Sequence, residues 1–229
     1  MDIKYFELPK KHLIIDNYLT NKLAEKVLKE FIGLETHYEQ ASIGSDGHVF
    51  DGCDQCIAIK KFNKFSTRDN KVVYINDHFK GKEYNSVIIN AMNLAIGSDG
   101  LVKLFDSLPG IFPILKHVNT SEAILSRYGK CDFYGIHNDP VPGIEQRRIL
   151  TFVYYVNKVP IKFEGGNLIM YSDDYKEKIE IEPKHNRCVV FESKTYHAVD
   201  SVTLSGAFDE GRFSVNFWVG FDGTYKFKE

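Results

Sequence analysis

The chain has 229 residues, of which 43% are hydrophobic and 26% are charged, and its formal net charge is −2. This length and composition predict one domain, 1–229, with a sizeable buried core. Because positive and negative charges nearly balance, the chain has no overall attraction to nucleic acid or to an anionic membrane, and we expect neither as a partner.

The first residues show no targeting signal. Residues 1–11 lack the apolar run and cleavage pattern of a secretory signal, and no stretch approaches the roughly 18 apolar residues of a membrane-spanning helix. Four cysteines do not suggest a disulfide scaffold, so we expect a reducing compartment and a cytoplasmic location. Cys53 and Cys56 form a C-x-x-C, but without a second pair they cannot close a zinc site, and chance spacing or a modest structural role is favoured.

The N-terminal part of the chain predicts helices that support a sheet. A short strand and turn over 13–19 precede Thr20, which is placed to cap a helix that ends at Gly33. Two further helical patterns cover about 84–96 and 101–105. The apolar stripe of the first helix predicts packing on the outside of a sheet.

Residues 40–82, between the first two helices, are rich in Gly, Asp and Lys. Two interpretations compete, a solvated irregular insert and a lid that closes over a substrate, because long loops in compact domains tend to be functional or mobile. The basic cluster 60–65 resembles a nucleic-acid-binding stretch, but a strand edge protected by lysines is favoured.

From Glu122 onward, short strands follow one another between turn residues such as Gly165 and Gly166. This pattern predicts a mainly β fold with supporting α-helices and a sandwich or jelly-roll core. Residues 1–120 would then supply helices and substrate-side loops that pack on a catalytic core formed by residues 121–221.

His137 and Asp139 stand two positions apart, so on a strand their side chains point to the same face. His197, which follows the strand-like run 187–192, is the best candidate for a third ligand. Two histidines and one carboxylate bind Fe(II) on one face and leave coordination positions open. An H-x-D alone is a weak signal, since most such tripeptides are incidental surface residues.

The run 211–219 alternates, so that Arg212, Ser214, Asn216 and Trp218 share one face of a strand. An inward arginine needs an anionic partner, and guanidinium pairs with carboxylate through two parallel hydrogen bonds. A dicarboxylate co-substrate would meet this need. If Arg212 stood alone, an arginine at the rim with its head in solvent would be favoured.

These motifs occur in an order that resembles the prolyl 4-hydroxylase-type branch of the 2-oxoglutarate and Fe(II)-dependent dioxygenases. The resemblance covers roughly 121–221 and is carried by the segments 128–129, 134–139, 148–157, 165–168, 183–191, 197–199 and 211–214.

The resemblance implies a double-stranded β-helix, or cupin-like jelly roll. It also implies Fe(II) as the cofactor, 2-oxoglutarate and O2 as co-substrates, and it suggests ascorbate as an additional cofactor. It implies that the iron ligands are His137, Asp139 and His197, and that the residues contacting 2-oxoglutarate are Arg212, Tyr128, Thr151, Tyr155 and Ser214. The expected reaction is hydroxylation of a C–H bond with release of succinate and CO2. Since the family's halogenating members replace the carboxylate ligand, Asp139 favours hydroxylation.

The interval between His197 and Arg212 is longer than this family usually has, and its excess, 203–210, predicts a longer hairpin loop. A prolyl residue in a peptide or protein is the expected substrate, and a free amino acid or small metabolite is the alternative. Two other classes remain open, a cupin-like metal enzyme without 2-oxoglutarate and a non-catalytic jelly-roll binding module. The sequence does not predict an oligomeric state.

Overall fold

The computed structural model describes residues 1–41, 68–97, 120–140 and 146–222. Strands dominate these residues. In chain order they are β1 (Asp2–Phe6), β2 (His12–Asp16), β3 (Glu39–Gln40), β4 (Arg68–Asp69), β5 (Lys71–Tyr74), β6 (Thr120–Tyr128), β7 (Phe133–His137), β8 (Gln146–Tyr155), β9 (Glu164–Gly165), β10 (Leu168–Tyr171), β11 (Lys178–Ile181), β12 (Arg187–Glu192), β13 (His197–Val199), β14 (Val202–Thr203) and β15 (Arg212–Asp222).

The strands form a large and a small antiparallel sheet that face each other. The large sheet has the order β1-β2-β12-β8-β15-β6-β5-β3, the small one has the order β11-β10-β13-β7-β4, and β14 pairs separately with β9. Val153 and Tyr155 of β8 pack against Leu168 and Met170 of β10, so apolar side chains fill the space between the sheets. The predicted mainly β fold with supporting helices is confirmed.

The outer face of the large sheet is covered by helices, as predicted. Helix α1 (Asn21–Gly33) begins after Thr20, whose hydroxyl accepts a hydrogen bond from the Leu23 N–H at 3.4 Å. Phe31 packs edge-on against Phe213 of β15, with ring centroids 5.5 Å apart. Because β15 alternates, its apolar face is available to the helix while its polar face looks between the sheets.

The second predicted helix divides into a 3-10 turn, Glu83–Asn85, and helix α3 (Val87–Gly97), which follows the short α2 (Ile75–His78). The Glu30 carboxylate of α1 accepts hydrogen bonds from the Val87 and Ile88 N–H groups at 2.6 and 3.1 Å. A carboxylate at a helix N-terminus satisfies amide groups that have no partner within the helix. The third predicted helix, 101–105, lies outside the described residues.

The interpretation of 40–82 as one irregular insert is wrong for its described end. Residues 42–67, with the basic cluster 60–65 and the cysteines 53 and 56, lie outside the described residues. After them, β5 pairs with β6 of the large sheet and β4 pairs with β7 of the small one. These strands have four and two residues, too few for a period to be visible in the sequence.

The cysteines differ from the expectation that all are reduced. Cys188 is a buried free thiol, whereas Cys131 is disulfide-bonded. Sequence alone could not foresee this, because a disulfide requires two cysteines whose Cα atoms lie within about 7 Å in the folded chain. In the parts of the chain that the structure describes, no helix has both the length and the apolar character needed to cross a membrane.

Candidate metal and co-substrate site

Three predicted residues meet between the two sheets. His137 ends β7, His197 begins β13, and the two residues are direct partners in the pairing of these strands. Asp139 follows two positions after His137, and the potential ligand atoms of the three side chains lie within 4.8 Å of one another. Two imidazole nitrogens and one carboxylate oxygen at this spacing can hold a divalent iron on one face.

Backbone carbonyls orient both imidazoles. The Nδ1 atom of His137 lies 2.8 Å from the Gly135 carbonyl oxygen, and Nδ1 of His197 lies 2.9 Å from that of Thr195. Because a carbonyl only accepts, each Nδ1 carries the proton and each Nε2 keeps its lone pair. The two Nε2 atoms lie 3.8 and 3.7 Å from the Asp139 carboxylate, so both face the same point.

The protonation states also suit a cation. Burial, together with nearby His197, lowers the pKa of His137 to about 3, so the ring is neutral at neutral pH. Burial raises the pKa of Asp139, but His197, His137 and a hydrogen bond from Thr151 outweigh it and hold that pKa below its ordinary value. A neutral imidazole beside a carboxylate is ready to bind a metal without first losing a proton.

Asp139 is held in place by neighbouring strands. Its Oδ2 accepts a hydrogen bond from the Thr151 hydroxyl at 2.5 Å, and its N–H donates to the Ser193 carbonyl at 3.0 Å. The Thr151 and Ser193 hydroxyl oxygens are 3.0 Å apart. The hydroxyl of Thr151, a predicted 2-oxoglutarate contact, is thus directed at the metal-facing carboxylate.

Arg212 lies deeper in the same space and is fully buried. Its Nε donates to the Gly166 carbonyl at 2.7 Å and its Nη1 to the Ser214 hydroxyl at 3.2 Å. Its Nη2 has no hydrogen-bond partner among the described residues. Its guanidinium carbon lies 4.6 Å from the Tyr128 ring centroid and 4.9 Å from that of Tyr155. Since a buried guanidinium without an anion is costly, this pocket suits an anionic ligand.

The two tyrosines supply further donors. Neither the Tyr128 nor the Tyr155 hydroxyl has a hydrogen-bond partner among the described residues, and both are fully buried. Burial raises the pKa of Tyr155 to about 12 and also raises that of Tyr128, so both hydroxyls stay protonated. A carboxylate beside Arg212 would accept from Nη2 and from a phenol, and these orphaned groups therefore fit the distal carboxylate of 2-oxoglutarate.

Gly166 allows Arg212 to reach this position. Its φ is +69°, and a Cβ at this residue would lie 2.8 Å from the Arg212 Cδ. A side chain here would both strain the backbone and push the guanidinium away from the carbonyl that it contacts. The positive φ and this close approach explain why a glycine stands at position 166 of the Gly165–Gly166 motif.

An aromatic stack beside His137 was not predicted. The Tyr134 ring stacks on the His137 imidazole with centroids 3.5 Å apart, and the Arg68 guanidinium lies 4.4 Å from the Tyr134 ring centroid. Arg68 comes from β4, which pairs with β7 at this point. Sequence reasoning missed Arg68 because only strand pairing brings it to the site, whereas Tyr134 lay within a segment that carried the resemblance.

Arg148 is a second residue whose position at the site was not predicted. It donates to the Asp139 backbone carbonyl at 3.2 Å, lies 3.9 Å from the Trp218 ring centroid and pairs with Glu122. A cation packed on an aromatic face and paired with a carboxylate is fixed in position. The sequence feature that could have predicted this position is an arginine at the start of an otherwise apolar strand-like run.

Comparisons with known proteins agree with this geometry. Residues 123–220 match the family model of the 2OG-Fe(II) oxygenase superfamily. An uncharacterized PKHD-type hydroxylase from Synechocystis is 34% identical over 96 residues, which is 38% of this chain. The match covers 32% of the length of that relative.

Solved structures share the fold at lower identity. A prolyl hydroxylase of Trichoplax adhaerens, in complex with a hypoxia inducible factor peptide fragment, has a TM-score of 0.60 at 18% identity, covering 92% of this chain and 83% of its own. A prolyl 4-hydroxylase of Pseudomonas putida has a TM-score of 0.58 at 18% identity and covers 91% of both chains. The viral collagen prolyl hydroxylase of Paramecium Bursaria Chlorella virus-1, in a 2OG complex, has a TM-score of 0.53 at 15% identity, covering 93% and 97%. The expected jelly-roll fold is therefore confirmed.

Proposed function

We propose that the chain is an Fe(II)- and 2-oxoglutarate-dependent hydroxylase whose substrate is a prolyl residue of a peptide or protein, since residues 123–220 match the family model of the 2OG-Fe(II) oxygenase superfamily. The observation that carries the proposal is the pairing of two incomplete sites in one space. One is the cluster of His137, Asp139 and His197, whose potential ligand atoms converge, and the other is the buried Arg212, which has no carboxylate partner among the described residues. Together they suit a metal ion and an organic anion.

The residues have distinct roles in this proposal. His137, Asp139 and His197 hold the iron, while Thr151 and Ser193 fix the carboxylate of Asp139. The bound iron supplies the chemistry by which O2 and 2-oxoglutarate are converted to succinate and CO2 as one oxygen atom enters a substrate C–H bond. The protein itself sets geometry and excludes water.

The co-substrate would be held at its distal carboxylate. Arg212 supplies the charge and the Nη2 donor, and Tyr128 and Tyr155 supply neutral O–H donors on either side of the guanidinium. Ser214 accepts from Nη1 and so keeps the guanidinium plane oriented. All three side chains are fully buried, and burial strengthens each of these interactions relative to water.

The substrate class is the less direct part of the proposal. Solved structures with this fold include enzymes described as prolyl hydroxylases, one of them in complex with a peptide fragment. This favours a prolyl residue in a peptide over a free amino acid or small metabolite. Mass spectrometry of candidate peptides and metabolites for the gain of one oxygen atom would separate these substrates.

Succinate release that depends on added Fe(II) and 2-oxoglutarate tests the reaction itself. His137→Ala and Asp139→Ala should lose turnover and bound iron but keep the fold, because each removes one ligand and leaves the apolar core intact. His37→Ala, which changes an exposed histidine near the end of α1, is the matched control and should retain both properties. Near-normal activity and iron content in both site variants would contradict the assignment.

A further inference from the structure

Tyr128 and Arg212 are direct partners where β6 meets β15, and the residues next to them in each strand point to the opposite, outer face of the large sheet. On that face the guanidinium of Arg127 lies over the Phe208 ring, with Cζ 5.0 Å from the ring centroid. Phe208 also packs edge-on against Phe213, the direct partner of Arg127, with ring centroids 5.6 Å apart. Arg127 and Phe208 therefore lie directly behind the two residues proposed to hold 2-oxoglutarate.

The backbone carbonyl of Phe208 joins the two strands at this point. Phe208 lies in the segment 203–210, the long interval that precedes Arg212, and begins the 3-10 turn with which this segment ends. Its carbonyl accepts hydrogen bonds from the Gly211 N–H at 3.2 Å and from Arg127 Nε at 3.4 Å. One carbonyl thus links a side chain of β6 to the residue immediately before Arg212.

Two buried glycines make room for the Arg127 guanidinium. A Cβ at Gly129 would lie 2.0 Å from Nη1, and a Cβ at Gly211 would lie 2.7 Å from Nε. Gly129 directly follows Tyr128 in β6, and Gly211 directly precedes Arg212 in the chain. The guanidinium therefore packs against the backbone of both strand ends, at a distance that only glycine allows.

We propose that Arg127 and Phe208 are positioning residues that hold Tyr128 and Arg212 at the spacing that 2-oxoglutarate requires. This role rests on the function proposed above and extends it to residues outside the pocket. A carboxylate that bonds to groups on two strands loses affinity when the strands shift relative to each other, so the contact behind the strands matters for binding. Both side chains lie on the outer face and touch neither the metal nor the co-substrate.

The test compares co-substrate binding with metal binding. Binding of 2-oxoglutarate is measured by calorimetric titration of the protein loaded with redox-inert Zn(II), and KM and kcat are measured from succinate release by the iron-loaded protein. Phe208→Ala should weaken 2-oxoglutarate binding about 10-fold and raise its KM in parallel, because the Arg127 guanidinium loses its support. The Zn(II) affinity and the kcat at saturating co-substrate should stay close to those of the wild type, since His137 and His197 belong to the other sheet.

Three gentler changes test the contact itself. Gly129→Ala adds a Cβ that meets the far end of the flexible Arg127 side chain, so it displaces the guanidinium without removing it. Arg127→Lys keeps the charge but loses the planar group and the Nε donor. Each should weaken 2-oxoglutarate binding about 3-fold. Phe208→Tyr keeps the ring under the guanidinium and should bind 2-oxoglutarate as the wild type does.

Phe31→Ala is the matched control. Phe31 is fully buried on α1 and packs edge-on against Phe213, with ring centroids 5.5 Å apart. Its loss should lower thermal stability at least as much as loss of the half-buried Phe208, because the cavity left behind is completely enclosed. It removes neither hydrogen bond to the Phe208 carbonyl, so the folded variant should keep its affinity for 2-oxoglutarate.

Wild-type affinity for 2-oxoglutarate in Phe208→Ala would overturn the positioning role, as would an equal loss of affinity in Phe31→Ala. An equal loss of Zn(II) affinity in Phe208→Ala would also overturn it, because the whole site would then have been disturbed. If Phe208→Ala does not fold, Gly129→Ala decides between the same outcomes. Failure of the wild-type protein to bind 2-oxoglutarate or to release succinate would instead reject the proposed function.

Discussion

Two buried arginines begin two strands of the same sheet, and they differ in their hydrogen-bond partners. Arg187 begins β12 and pairs with Asp16 through two parallel bonds, Nε to Oδ1 at 2.6 Å and Nη2 to Oδ2 at 2.9 Å. Its Nη1 donates to the Glu182 carbonyl at 3.1 Å. Arg212 begins β15 and is more deeply buried, and its hydrogen-bond partners among the described residues are a carbonyl and a hydroxyl.

The difference separates a structural arginine from a binding one. Burying a guanidinium is costly unless a carboxylate meets it, and the Arg187 site meets that need from within the chain. The Arg212 site places two phenols around the guanidinium where Arg187 has a carboxylate. The proposed binding of an anionic co-substrate at Arg212 would therefore stabilise the folded state.

The largest effect is expected at Arg212. Arg212→Ala should weaken 2-oxoglutarate binding by about 2 to 5 kcal/mol, because the carboxylate of the co-substrate would lose its charged partner. Without co-substrate, Arg212→Ala should lower the thermal stability modestly, because it removes the hydrogen bonds to the Gly166 carbonyl and the Ser214 hydroxyl but breaks no ion pair among the described residues. Titration of 2-oxoglutarate against succinate release, with iron content measured alongside, tests this. An unchanged requirement for 2-oxoglutarate would mean that another residue anchors it.

The reverse pattern is expected at Arg187. Arg187→Ala should destabilise the fold by about 1 to 3 kcal/mol, since it removes charge-assisted hydrogen bonds at a partly exposed pair, and it should leave the affinity for 2-oxoglutarate unchanged. Arg187 also holds the pKa of Asp16 below its ordinary value. Denaturant unfolding would measure the loss of stability, and an NMR titration of Asp16 would measure the rise of its pKa. A loss of co-substrate affinity in Arg187→Ala would contradict the assignment of a purely structural role to Arg187.

Gly166 offers a smaller change that acts on Arg212 indirectly. Gly166→Ala adds a Cβ at φ +69° and 2.8 Å from the Arg212 Cδ. It should cost about 1 to 2 kcal/mol of stability and should also raise the 2-oxoglutarate requirement, because the guanidinium must move. Gly33→Ala, where nothing lies within 4 Å of the added Cβ, is the matched control. Equal effects of the two substitutions would show that Gly166 does not position Arg212.

His12 sharpens the comparison because, unlike an arginine, it can lose its charge. It is fully buried on β2, and burial lowers its pKa despite a hydrogen bond to the Lys10 carbonyl. The unfolded state therefore binds the proton more readily, so stability is lost as pH falls below about 6.5, by at most about 1.4 kcal/mol per pH unit. In His12→Asn the free energy of unfolding should fall less steeply with acid, as denaturant curves at several pH values would show. An unchanged slope would mean that the pKa of His12 is the same in the folded and unfolded states.

Local patterns in the sequence determined much of the fold and of the candidate site. The alternation of β15 placed Arg212 and Ser214 on its polar face, and the helical period with its Thr20 cap located α1. These two inferences were correct because they depend on strand and helix periods, which neighbouring residues alone impose. The strand period does not account for the meeting of His137 and Asp139, because β7 ends at His137 and Asp139 lies beyond it.

Only the tertiary structure decided which of these residues have partners. It brought β4 and β5 from the presumed insert into the two sheets and turned the Thr151 hydroxyl toward Asp139. It also gave Arg187 a carboxylate partner, whereas none of the described residues supplies one to Arg212. The separation in the chain ranges from 12 positions for Thr151 and Asp139 to 171 for Asp16 and Arg187. The sequence shows which side chains are polar. Whether such a side chain finds a hydrogen-bond or ion-pair partner depends on which other strand packs against it.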